Sequence, residues 1–568
     1  MDSSMVRVSF DRASSFQLSA KLIPVVVLMV LVLSIYTSSI SGDFVYDDQR
    51  VVLANPLLGH MDGHTLAVIF QRDYWSAYHS GDPQAAIDSS YYRPFVHLYE
   101  LVAYELAGKN ATTWHWFSIL LHALAAVMVM FVLDKSLSVA TNLPQKTRLL
   151  ISTFAAAIFA VHPVQSEAVA WISAFANPLG AVFSLSAFYC YLSYRDRQRY
   201  VLIIIGSLLL AAALLTKEIA VVVVLIIAAY ELFIFNQELP LPARLRMSAK
   251  MAIAFICVTI GYLAIRYMVL HGLSIEGQNP NFPEDSALTL MDNLRTLPAL
   301  FVTYMKLAVF PFGHSMLYEF GYVRSFSLTG FWLPLGFVLV AGGSLLLWGR
   351  RTPEIRIAVI WMLLPLLPHL NTRVFTSEEI VHDRYLYVSM VGVGLLLSVV
   401  AQKGAERLRL SNIGRLSIAS VILIVLCMAT ISQNAQWQNE STLWRYAAAN
   451  APNARVSRMA LGILAESRKD YEGAVAEYAA ALRINPDILD ALNNQAFAYA
   501  HLGRWNEATA NFERIVELTP NKAGAHMNLS VAYGMQQRLA DAEREKQKAI
   551  ELGLPKPPEM PQPGGPVK

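Results

Sequence analysis

Along the first three quarters of the chain, long apolar runs alternate with short polar breaks that carry turn residues and charges. A helix rising 1.5 Å per residue needs about 20 apolar residues to cross the hydrocarbon of a bilayer. Runs near that length predict transmembrane helices at 22–41, 112–133, 149–162, 178–194, 200–216, 219–235, 250–270, 330–348, 356–370, 386–402 and 416–433. The stretch 297–312 is interrupted by Lys306 and closed by Pro311, and is read as re-entrant or interfacial. That leaves about 11 spans.

The polar breaks also carry a direction, because Lys and Arg concentrate in cytoplasmic loops. Basic residues gather as Arg7/Arg12/Lys21, Lys135/Lys146/Arg148, Arg195/Arg197/Arg199, Arg244/Arg246/Lys250, Arg350/Arg351/Arg356 and Lys403/Arg407/Arg409/Arg415. With the spans above, every cluster falls on the cytoplasmic side. The first run has no convincing small-residue cleavage site and is read as a signal anchor.

Beyond the last span the pattern changes to a repeat. Pro452, Pro486 and Pro520 are spaced by the same step as Trp437, Tyr471, Trp505 and Leu539. Ala474, Ala508 and Ala542 share it, as do Trp444, Tyr478 and Phe512. A step of about 34 residues, with small residues where helices cross and aromatics filling the gaps, is that of the tetratricopeptide repeat (TPR). The expected organisation is a cytoplasmic N-terminus (1–21), a membrane domain (22–433), an outer-side TPR α-solenoid (434–554) and a disordered Pro-rich tail (555–568). The fold class is all-α.

Composition agrees: 55% of residues are hydrophobic and 15% charged, against about 25% charged in ordinary globular chains. The net charge of +3 is too small for a nucleic-acid binder. Cys190, Cys257 and Cys427 lie in separate apolar runs, without the spacing of a zinc site or disulfide framework.

The informative polar residues sit at span ends on the outer face. Asp47-Asp48 follows the first span, and each carboxylate there is either a general base, a metal ligand or a loop-closing acid. HPVQSEAVAWISAFANPLG begins with His162 and contains Glu167; an interfacial amphipathic segment explains its Trp171 without chemistry and is the favoured reading of these residues taken alone. Lys217-Glu218 sits between two close spans, as a hairpin tip or a phosphate contact. In the segment 371–390, Arg373 and Arg384 stand beside acids and His382-Asp383; guanidinium groups bind phosphate, yet Asp383-Arg384 can simply pair with each other. Charges deep within spans are few, which argues against a transporter.

In this order, the residues resemble the transmembrane and TPR-repeat-containing O-mannosyltransferases and their bacterial relatives, of the GT-C class of polyprenyl-phosphate-sugar glycosyltransferases. The resemblance rests on Tyr46-Asp47-Asp48 with Asn55-Pro56, YYRPF around Arg93, HPVxxEAVAWI from His162 to Ile172, Lys217-Glu218 and RYLY from Arg384 to Tyr387, followed by the repeats. It implies a GT-C-type membrane bundle with Asp47 or Asp48 as base and Glu167 as a second acidic group. It also implies Arg93, Lys217 and Arg384 as phosphate-binding cations, with His162, Glu218, His382 and Asp383 in support. Where relatives often carry an acid after AVAWI, this chain has Phe175-Ala176-Asn177.

The implied reaction is inverting transfer of a sugar, mannose by resemblance, from undecaprenyl or dolichyl phosphate to Ser/Thr of an acceptor protein held in the TPR groove. No cofactor is fixed; a divalent cation, Mg or Mn, stays open. Membrane lipids are the other expected partner, and nucleic acid is not one. A bacterial inner membrane with periplasmic repeats is favoured over the ER membrane with luminal repeats. The rivals are a GT-C enzyme acting on a glycan or lipid, a non-catalytic TPR scaffold and a transporter.

Overall fold

The computed structural model describes residues 21–75, 91–271, 288–374 and 378–555; Arg7, Arg12 and the tail from 556 lie outside them. Among the described residues the ordered elements are helices, with no strand. In hydrocarbon that is the expected outcome, because a helix satisfies its own backbone donors and acceptors. The chain divides into two compact units, one ending at Leu443 and one beginning at Trp444.

Among the described residues of the first unit, seven helices are long and apolar enough to cross a membrane: Lys21–Ser39, Ala111–Ala140, Ile172–Arg197, Leu241–Leu270, Leu328–Gly349, Pro353–Leu370 and Asn412–Trp437. An eighth is added if Gln145–Val161 and Pro163–Ala170, bent by 55°, count as one span. The expected 11 are thus not all of that type. The segment 200–216 is a 17-residue helix, and 219–235 is a 3-10 turn followed by the 12-residue helix Val222–Phe233. The segment 386–402 lies mostly in Met390–Arg407, whose last turns carry Lys403, Glu406 and Arg407. The stretch read as re-entrant is part of a 20-residue helix, Leu290–Val309, with Asp292, Arg295 and Lys306 along it and Pro298 inside.

Burial separates an inner set from an outer set. Ala111–Ala140 and Ile172–Arg197 are mostly covered by protein, whereas none of the apolar window of Leu328–Gly349 is. Its Leu333, Phe337, Leu339, Val340 and Leu346 are exposed and would face lipid. In the inner set, a Cβ on Gly392 would run into the backbone of Ala358 and Met362, and one on Gly394 into that of Ala155. Helix Met390–Arg407 therefore touches two neighbours backbone to backbone. Small residues permit this approach where no hydrophobic effect drives helices together.

Charges at one end of this bundle are paired off: Lys21 with Asp134 (2.6 Å), Lys135 with Asp196 (2.7 Å), and Arg195 with Glu231 (3.2 Å). Beyond the other ends of helices that carry these pairs lie Asp47-Asp48 (after Lys21–Ser39), Glu167 (before Ile172–Arg197) and Lys217-Glu218 (before Val222–Phe233).

The second unit contains three helix pairs: Arg455–Ser467 with Tyr471–Ile484, Leu489–His501 with Trp505–Leu518, and Ala523–Met535 with Leu539–Glu551. The repeat residues of the first two pairs pack as expected, whereas Leu539, at the corresponding position of the last pair, is exposed. Ala474 and Ala508 are fully buried where helices cross, and Tyr478 and Phe512 fill the space beside them.

Candidate active site

The loop after the first span is shaped by a tight turn. The Asp48 N–H donates to the Val45 carbonyl (3.1 Å), and Tyr46 takes the left-handed conformation, φ 56°. A π-helical turn, Gln49–Leu53, follows directly. The two adjacent aspartates consequently have opposite environments. Asp48 is fully buried, and its Oδ2 accepts the Val45 N–H (3.0 Å). Its Oδ1 accepts the Ser173 N–H (2.7 Å) and the Ser173 hydroxyl. Burial pushes its carboxyl up to about 7, with those hydrogen bonds pulling against the rise.

Asp47 is half-buried, and its carboxylate has no hydrogen-bond partner among the described residues. Burial raises it to about 6, opposed by the charges of Arg384 and Arg50 and assisted by Glu379 and Glu440. A carboxyl tuned near the working pH and left open is what a general base requires.

Glu167 is brought in by the 55° bend, in the short helix Ser166–Ala170. Its Oε2 accepts the Arg384 N–H (2.8 Å), and its Oε1 is shared by the Arg384 guanidinium and His382 Nδ1 (3.2 Å). Burial alone would raise this carboxyl; Arg384 and His382 overcome it and hold it at about 2. Glu167 is therefore a fixed anion that anchors Arg384, whose guanidinium also lies over Trp171 and Tyr385 (5.4 Å each).

The cation candidates divide in the same way. Arg93 forms a two-point ion pair with Glu218 (2.6 and 3.0 Å), and Glu218 is held at about 2 against its burial chiefly by that charge. Lys217 is buried and donates to Asn177 Oδ1. Burial, then the like charge of Arg93, lower its ammonium to about 7. Asn177 accepts this hydrogen bond without neutralising the charge.

Asp383 does not pair with its neighbour Arg384. It accepts the Tyr318 hydroxyl (2.6 Å) and lies 3.1 Å from His314 Nδ1, and His162 stands edge-on to His314. Ser173, His314, Tyr318 and Trp171 were not singled out from the sequence as site residues. Trp171 belongs to a quoted motif; the others carry no local signal, because their partners lie 65 to 125 residues away.

Lys217 and Arg384 line one cleft, whose other walls include Ala181, Ile219, Val222 and Val223. It combines apolar walls with two cations, as a lipid phosphate needs. Among the described residues no three His, Cys, Asp or Glu side chains converge as metal ligands. Both Asp48 oxygens are occupied by donors, and no step below is routed through a cation.

A tetratricopeptide repeat family model matches residues 489–522. Protein O-mannosyl-transferase TMTC3 of Mus musculus is 25% identical over 576 aligned residues, covering 93% of this chain and 60% of that protein. The chain resembles protein O-mannosyl-transferases over nearly its whole length. It spans about 60% of the length of these curated relatives. Among solved structures, the archaeal oligosaccharyltransferase AglB from Archaeoglobus fulgidus, in complex with an inhibitory peptide and a dolichol-phosphate, aligns with TM-score 0.39 and 14% identity. That alignment covers 75% of this chain and 56% of AglB. ArnT from Cupriavidus metallidurans, bound to undecaprenyl phosphate, aligns with TM-score 0.36 and 16% identity, covering 88% of this chain and 80% of ArnT.

Proposed function

We propose that the chain is a membrane glycosyltransferase of GT-C type that moves mannose from a polyprenyl phosphate to Ser or Thr of acceptor proteins, on the periplasmic or luminal face, with the TPR repeats recruiting the acceptor. The observation that carries this reading is the pairing of an open carboxylate, Asp47, with two cations, Arg384 and Lys217, that face an apolar cleft. The names of the relatives support the sugar and the acceptor class.

In this mechanism Asp47 accepts the acceptor hydroxyl proton while the oxygen attacks the anomeric carbon. The bond from that carbon to the phosphate oxygen breaks, and the phosphate leaves with the electron pair. Lys217 and Arg384 stabilise the departing charge, as fixed cations do where charge develops. A single displacement inverts the anomeric centre. A bound phosphate restores the full charge of Lys217, which Asn177 leaves uncompensated. Arg93 acts through Glu218, and Asp48 shapes the loop.

The test uses the full chain in nanodiscs with radiolabelled polyprenyl-phosphate mannose and periplasmic or luminal protein. Label entering protein with wild type and not with Asp47→Asn supports the reading. Label released as free mannose instead points to a live site whose acceptor is not a protein. No turnover across a panel of polyprenyl-phosphate sugars overturns it in favour of a membrane-anchored scaffold.

A further inference from the structure

The acidic loop is held by the segment in which the last span ends. The Asp43 N–H donates to the Gln438 carbonyl (2.8 Å), and the Tyr46 N–H donates to Glu440 Oε1 (2.6 Å). One residue earlier than Gln438, Trp437 stacks on Trp171 with ring centroids 5.8 Å apart and planes 11° from parallel. Trp171 in turn lies against Tyr46 (5.4 Å) and under the Arg384 guanidinium. Three residues of one short segment thus reach three parts of the candidate site.

The Tyr46 contact bears most directly on chemistry. A bulky residue at positive φ is a costly conformation that persists only where its surroundings hold it. The turn uses the Val45 carbonyl and Val45 N–H to fix Asp48, which leaves the Tyr46 N–H to be satisfied from elsewhere. Glu440 supplies a charged acceptor, the stronger kind. Tyr46 is the residue immediately before Asp47, so its backbone orientation sets where the open carboxylate points.

We infer that Glu440 is a positioning residue for Asp47: it acts through the Tyr46 N–H to hold the loop in its left-handed turn, so the site is incomplete without the segment 437–440. This rests on the proposed role of Asp47 as base. Glu440 also bears on Asp47 through its charge, alongside Arg384, Arg50, Glu379 and the adjacent Asp48.

Two variants of the full chain in nanodiscs separate these contributions. Glu440→Gln keeps an acceptor oxygen and removes the charge; Glu440→Ala removes both. The expected result for Glu440→Ala is a kcat lower by about 10²-fold, the scale of a misplaced catalytic group, with donor KM within about twofold. Hydrogen–deuterium exchange of the peptide containing Tyr46 should speed up in the same variant. Glu440→Gln should keep slow exchange and a near-normal kcat, while the acid limb of its pH–rate profile moves to lower pH, because a negative neighbour of Asp47 has gone. Wild-type exchange at Tyr46 in Glu440→Ala overturns the inference whatever the activity, as do equal losses in the two variants. If wild type turns over no donor, the glycosyltransferase reading fails, and the exchange comparison still decides whether Glu440 holds the loop.

Discussion

At the end of the bundle where the basic clusters gather, every acid named above meets a cation: Asp134 meets Lys21 and Arg148, Glu231 meets Arg195 together with the Tyr191 hydroxyl and the Asn236 amide, and Asp196 meets Lys135. Asp196, held by Lys135, keeps about half its side chain exposed. At the other end, Glu167 takes three donors from Arg384 and His382, Glu218 takes both arms of Arg93, and Asp48 takes three donors. Against those saturated carboxylates stand groups left unbalanced among the described residues: Asp47, whose carboxylate accepts no hydrogen bond, and Lys217, whose hydrogen-bond acceptor is the neutral Asn177. The first end has the charge pattern of a membrane protein's orientation, and the second has that of chemistry. What distinguishes them is the presence of saturated ions beside unsatisfied ones, not the number of charges.

This contrast can be tested by substitutions, beginning with the largest expected effect. Asp47→Asn should cost about 10²–10⁴-fold in kcat, the usual worth of a general base, with thermal stability unchanged. Asp48→Asn should also lose activity, but with a lower melting temperature, because one amide N–H₂ must then face donors that now meet carboxylate oxygens. If the two variants behave alike in both assays, the division between open and saturated aspartates is wrong.

Arg384→Met should destabilise the protein by about 3–5 kcal/mol, the cost of stripping the partner from a buried carboxylate. Thermal unfolding in a fixed detergent checks this. Next comes packing. Gly392→Ala should lower stability by about 1–3 kcal/mol through overpacking, whereas Gly342→Ala, with nothing within 4 Å of a new Cβ, should be neutral or slightly stabilising.

The pH dependence sharpens the same contrast. Asp47 must be ionised to accept a proton and titrates near 6, so turnover should fall as pH drops through about 6. Lys217 titrates near 7 without ligand, so donor affinity should weaken as pH rises above that value. Glu167 and Glu218, both held at about 2, contribute stability that is complete above their ordinary carboxylate range and is lost only as pH falls toward 2. The smallest effect belongs to the opposite end, where Lys135→Ala should cost at most about 1 kcal/mol and leave kcat unchanged.

Asp47, Glu167, Arg93, Lys217 and Arg384 could be picked out as candidates from the sequence because a charged residue at the margin of an apolar run is conspicuous. The repeat was legible because its period recurs through small and aromatic positions alike. What could not be read is how the candidates divide. Ser173 saturates Asp48 from 125 residues away, and Glu440 reaches Tyr46 across 394. Asp383 turns to His314 and Tyr318 although Arg384 is its neighbour in sequence. The span count was blurred by helices such as Val222–Phe233, which are apolar throughout and yet short. Hydropathy marks where a chain leaves water, and it is silent on how far each helix extends once inner helices shield one another from lipid.

The two glycines of helix Met390–Arg407 bear on how the molecule works as a machine. Backbone-to-backbone seating on Ala358 and Met362 at one glycine, and on Ala155 at the other, leaves no clearance for that helix to roll or slip by a residue. Arg384 lies six residues ahead of its first turn and inherits that fixed register. The guanidinium is thus mounted just ahead of a helix with no room to shift, and adjustment to different substrates falls to the loops that approach it.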